Sequence, residues 1–126
     1  MTKKIKILAA DDQDVNLRLL TVILKDEDFE IFLTDDGDGA IELLKAHPDT
    51  GVILLDRMMY DEDGMDTVAR IKGMPEFRHI PIIMITASWS PGMEAGAREA
   101  GVYAYLAKPY DKAKIISTVK EALKTP

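Results

Sequence analysis

The chain is predicted to fold as an α/β domain built on one parallel sheet, and three observations predict it. Short apolar runs alternate with helical patterns along its whole length, the signature of βαβ units. Four of those runs end on residues with reactive side chains: Ile5 to Ala10 on Asp11-Asp12, Val52 to Leu55 on Asp56, Ile82 to Ile85 on Thr86, and Val102 to Ala107 on Lys108-Pro109. In an open parallel sheet ligands sit outside the carboxyl ends of the strands, so these distant residues would meet at one edge. The 126 residues, 47% hydrophobic and 30% charged, suit one domain spanning 1–126 with a proper core, and no linker, repeat or low-complexity tract divides them.

The elements follow in order. After the first strand, Val15, Leu19, Val22 and Ile23 recur at helical spacing and predict the buried face of a helix. Leu17, Leu20 and Leu24 widen that stripe, while Arg18, Thr21 and Lys25 lie on another face. A second strand is expected near Glu30 to Thr34, then turn chemistry at Asp35-Asp36-Gly37 and a helix through Leu44 and Lys45. The third strand is the run ending on Asp56. An acidic loop ending in Gly64 leads into a short helix with Met65, Val68 and Ile71 inward. The fourth strand covers Pro81 to Ile85. The next helix, from Pro91 to Ala97, is weak, since each interior glycine costs about 1 kcal/mol relative to alanine, and it should pack lightly. The fifth strand covers Tyr103 to Ala107. A last helix, N-capped near Asp111, should bury Ile115, Ile116, Val119, Ala122 and Leu123.

Composition narrows the function. The longest apolar run, the six residues from Val102 to Ala107, is too short to span a membrane as a helix. No signal peptide is expected from Met1-Thr2-Lys3-Lys4, and the absence of cysteine fits a cytoplasmic protein. A net charge of −6 argues against broad binding to nucleic acid.

Asp56, held at the end of a buried strand, could act as a nucleophile and form an acyl phosphate, or serve only as a turn residue. With Asp11 and Asp12 it would place three negative charges within about 5–6 Å, each like-charge pair costing on the order of 3 kcal/mol at an effective dielectric near 20. Such a cluster calls for a cation, and an all-oxygen site with water suits Mg2+. The competing reading is that Asp11-Asp12, with Asp14, only begins a helix whose dipole favours acids there. Lys108 would offer a point charge to phosphate oxygens on a loop fixed by Pro109, and Thr86 a hydroxyl; Lys-Pro is also common in ordinary loops, and Thr is a routine strand-end residue.

Together these residues resemble the receiver domain of bacterial two-component response regulators, of the chemotaxis-regulator type. The resemblance covers the whole chain and rests on the acidic pair after strand one, Asp56-Arg57-Met58-Met59 leading to Gly64, Ile85-Thr86-Ala87-Ser88, and Tyr105-Leu106-Ala107-Lys108-Pro109. It implies a doubly wound, flavodoxin-like (βα)5 fold with strand order 2-1-3-4-5. By position it implies Asp56 as phosphoacceptor, charged by a histidine kinase or a histidine phosphotransfer protein. Asp12, Asp56 and the backbone carbonyl of Met58 would bind Mg2+ directly, with Asp11 acting through water. Thr86 and Lys108 would hold the phosphoryl group, and Tyr105 would swing inward when Thr86 moves, switching a surface for a downstream protein target. Two departures stand out. Tyr60 replaces the family's usual proline, and Met58 and Ser88 occupy positions that modulate dephosphorylation.

Other residues carry weaker signals. Trp89, the single tryptophan, could report on the site or be a loop aromatic. His47, His79 and the Lys3, Lys4, Lys6 cluster read as solvated loop and end residues. Asp61-Glu62-Asp63-Gly64 matches a calcium loop in composition only. Two rivals remain: an unphosphorylated pseudo-receiver that binds partners, and an aspartate-nucleophile phosphatase, whose paired acids Asp12-Gln13-Asp14 mimic. After Leu123-Lys124-Thr125-Pro126 the expectation is a stand-alone signalling module or the N-terminal part of a longer regulator.

Overall fold

Apolar runs that are buried on both faces become neighbouring strands of one sheet. The computed structural model describes residues 4–25, 27–59, 62–87 and 89–124; the expectations attached to Lys3, Tyr60, Asp61 and Ser88 lie outside them. The strands are β1 (Ile5–Ala10), β2 (Phe29–Thr34), β3 (Val52–Asp56), β4 (Met58–Met59), β5 (Glu62–Asp63), β6 (Ile82–Thr86) and β7 (Ala104–Ala107). The helices are α1 (Asp14–Leu24), α2 (Gly37–Ala46), α3 (Gly64–Lys72), α4 (Pro91–Glu99) and α5 (Lys112–Lys124). Five strands pair in parallel in the order β2-β1-β3-β6-β7. With those five counted alone, this is the expected 2-1-3-4-5 order. The antiparallel pair β4-β5 was not anticipated.

Side chains alternate across the pleat, so each central strand feeds two cores. Leu8, Ala10, Ile53, Leu55, Ile82 and Met84 face α2, α3 and α4. Ile7, Ala9, Val52, Leu54, Ile83 and Ile85 face α1 and α5. Helices on both faces make the fold doubly wound. Because β1 leads to β2 on one side and lies beside β3 on the other, the winding reverses between β1 and β3, which places a ligand crevice at their carboxyl ends.

The buried face of α1 differs from expectation. Leu17, Leu20, Ile23 and Leu24 are buried, whereas Val15, Leu19 and Val22 are exposed at 68%, 44% and 54%. Apolar residues encircle most of this helix, so periodicity alone fits two faces, and packing against the sheet selects the leucine-rich one. Only Ala97 of α4 is buried, in keeping with light packing; its N-terminus is capped by Ser90, whose Oγ accepts from the Met93 N–H at 3.1 Å. Asp111 caps α5 as expected, accepting from the Lys114 N–H at 3.1 Å. In α5, Ile115, Val119 and Ala122 are buried, while Ile116 and Leu123 are only partly covered.

Candidate functional site

Strand register gathers the expected residues. Ala10 lies beside Leu55, and Asp56 beside Ile85, so Asp11 leaves β1 next to the end of β3. Thr86 pairs with Ala107, and the Lys108 N–H donates to the Thr86 carbonyl at 2.7 Å, which sets Lys108 at the same edge. Thr86 itself is buried.

Asp11, Asp12 and Asp56 each present a carboxylate oxygen, all within 4.8 Å of one another. Asp11 and Asp56 are buried; Asp12 is half-buried. Lys108 Nζ bridges the first two, 3.2 Å from Asp11 Oδ2 and 3.3 Å from Asp56 Oδ2. Three carboxylates against one ammonium leave a surplus of negative charge on hard oxygen donors, which fits Mg2+. Met58 begins the short β4, its N–H 3.4 Å from Asp56 Oδ1. Burial pushes the Asp56 carboxyl above its ordinary value; the Asp11 charge adds to the push and Lys108 opposes it.

Gly64 holds the other side of Asp56. Its N–H donates to the Arg57 carbonyl, and a Cβ there would lie 2.5 Å from the Asp56 carbonyl oxygen. Only glycine allows α3 to start this close to the strand end. Asp63 caps that start, its Oδ1 accepting from the Met65 N–H at 2.9 Å.

Two neighbours were not singled out from the sequence. Arg57 Nη1 donates to the Tyr105 hydroxyl at 3.4 Å and Nε lies 3.7 Å from Asp63 Oδ1; Tyr105 is buried, its ring inward. Tyr110 donates from its hydroxyl to Asp11 Oδ2 at 3.3 Å. Burial, then the Asp11 charge, raises the Tyr110 phenol far above its ordinary value, which keeps it protonated. Arg57 stands inside one quoted motif and Tyr110 directly follows another, and only those positions could have pointed to them.

The weaker signals resolve away from the site. Trp89 is half-exposed and its indole donates to Glu94 Oε1 at 2.8 Å. His47 stacks on Phe32 with ring centroids 3.9 Å apart, and His79 is exposed. Lys4 is exposed, but Lys6 is a correction to the solvated cluster: it pairs with Asp49 at 3.0 Å and approaches His47 Nδ1 at 3.3 Å.

The polar-differentiation response regulator DivK of Brucella ovis is 32% identical over 124 residues, 98% of each chain. A putative response regulator from Chloroflexus aurantiacus superposes with a TM-score of 0.91 at 25% identity, over 98% of this chain and all of that one. The chemotaxis response regulator CheY4 of Vibrio cholerae superposes at 0.88 and 24% identity, over 96% of this chain and 100% of its own, a likeness of fold. The model of the response regulator receiver domain matches residues 7–120, and with the acidic edge where those residues predict it, the chain belongs to the response regulator receiver domains of two-component signal transduction.

Proposed function

We propose that Asp56 accepts a phosphoryl group from a phosphohistidine of a histidine kinase or histidine phosphotransfer protein, and that the acyl phosphate alters the surface around Thr86 and Tyr105 for a downstream protein target. The observation that carries this is Lys108 Nζ poised between the Asp11 and Asp56 carboxylates. An Asp56 oxygen attacks phosphorus as the P–N bond breaks and the imidazole leaves with the bonding electron pair. Lys108 turns from the carboxylates to the phosphoryl oxygens, a charge-assisted contact, and the Thr86 hydroxyl donates to another of them. Mg2+, held by Asp12, Asp56 and the Met58 carbonyl with Asp11 through water, would supply charge neutralisation for the incoming phosphoryl oxygens.

The surroundings support a protein donor. Exposed Val15, Leu19 and Val22 on α1 form an apolar face beside the site. Next to it lies a cleft of about 150 Å³ lined by Asn16, Leu19, Lys108, Pro109 and Tyr110. On the far side, a groove of about 620 Å³ lined by Trp89, Glu94, Arg98, Tyr105 and Lys114 runs beside the lightly packed α4, where a change at Tyr105 would be felt by a target.

Intact mass after incubation with phosphoramidate and Mg2+ tests the reading. The expected gain is one phosphoryl group, absent from Asp56→Asn and without Mg2+. No gain, even with a candidate kinase, would assign the chain to the pseudo-receivers; steady phosphate release from unrelated phosphoesters would assign it to the phosphatases.

A further inference from the structure

The Asp11 carboxylate is held by three donors. Its Oδ1 accepts from the Gln13 N–H at 2.8 Å. Its Oδ2 accepts from Lys108 Nζ at 3.2 Å and from the Tyr110 hydroxyl at 3.3 Å. Asp11 is only 1% exposed, so its orientation is set by these protein groups. The two donors on Oδ2 differ in kind. Lys108 is charged, is shared with Asp56, and repels any cation brought into the cluster. Tyr110 is neutral and can hold the oxygen in place beside a cation without that repulsion.

The ring of Tyr110 is not fixed by packing alone. One side borders the cleft shared with Asn16 and Leu19. Another borders a cavity of about 220 Å³ lined by Ile85, Leu106, Lys114 and Ile115. Besides its packing against the core under α1 and α5, two polar contacts hold it: the hydroxyl on Asp11, and Lys108 Nζ 5.9 Å from the ring centroid, within cation–π range.

We propose that Tyr110 is a positioning residue of the cation site: its hydroxyl fixes the Asp11 carboxylate for a divalent cation. This rests on the reading of the acidic cluster as a Mg2+ site. Groups that hydrogen-bond to metal-binding carboxylates typically change metal affinity 10- to 100-fold when removed, and a neutral phenol belongs at the lower end.

Calorimetric titration of the full chain with Mg2+ tests it. Tyr110→Phe keeps the ring and its contact with Lys108 and removes only the hydroxyl. The expected result is a Mg2+ dissociation constant raised about tenfold. In an Asp11→Asn background the same substitution should change Mg2+ affinity little, because the group it positions is gone. A purely structural effect of losing the hydroxyl would instead persist in that background and would overturn the proposal. So would unchanged or tighter binding by Tyr110→Phe, or a wild-type chain that binds no Mg2+. Phosphoryl transfer is not the readout: a chain that binds Mg2+ with the expected Tyr110 dependence but never gains a phosphoryl group would refute the proposed function and leave this inference standing.

Discussion

Asp56 sits where its own charge is disfavoured. Burial and the Asp11 carboxylate raise its proton affinity, and Lys108 compensates only in part. Between the ordinary carboxylate value and the raised native one, the folded protein holds more protons than the unfolded chain. Metal-free stability therefore falls as pH rises through that window. Asp56→Asn should remove this component and raise stability at neutral pH by about 1 kcal/mol, the repulsion relieved less the Lys108 attraction lost. Urea unfolding from about pH 4 to about pH 7 in the absence of divalent cations checks it, and an identical slope in both proteins would sink the idea. The carboxylates, Thr86 and Lys108 were legible in the sequence because each ends a strand-like run, and topology does the rest. Arg57 and Tyr110 were not, since their contacts depend on side chains crossing between segments 48 and 99 positions apart, a distance no local pattern encodes.

Elements respond to glycine in opposite ways. Gly96, exposed within α4, has nothing within 4 Å of an added Cβ. Gly96→Ala should stabilise the protein by about 0.5–1 kcal/mol through helix propensity. Gly64 has the Asp56 and Arg57 backbone where its Cβ would go; Gly64→Ala should cost about 1–3 kcal/mol by overpacking and displace the acceptor strand end. Thermal unfolding of the two variants gives both signs directly. The contrast also marks how far elements could be read from sequence. The order of the five helices and the five sheet strands was plain from alternating periodicities, and so was the thin packing of α4. The orientation of α1 was not: apolar side chains occupy both candidate faces, and only the sheet against which Leu17, Leu20 and Leu24 pack decides between them.

At the scale of the molecule, stability is uneven. Strands β1, β3 and β6 lie inside the sheet between two helical layers, whereas α4 anchors through one fully buried residue. Amide hydrogen exchange should find α4 opening locally at a small fraction of the global unfolding free energy, with β3 and β6 exchanging only through global opening. Equal protection in α4 and β3 would contradict this. The two-sided sheet was foreseeable because Val52 to Leu55 and Ile82 to Ile85 are apolar without alternation, as strands covered on both faces are. The bridge made by Lys108 has a further meaning for the chain in time. Its two partners lie 97 and 52 positions earlier. During synthesis, amino-terminal segments emerge first, so both carboxylates leave the ribosome well before the ammonium that joins them. A half-made chain holds the acids without their counter-charge, and the edge acquires its full set of groups only when β7 has docked. Competence at this edge thus doubles as a record that synthesis has passed β7.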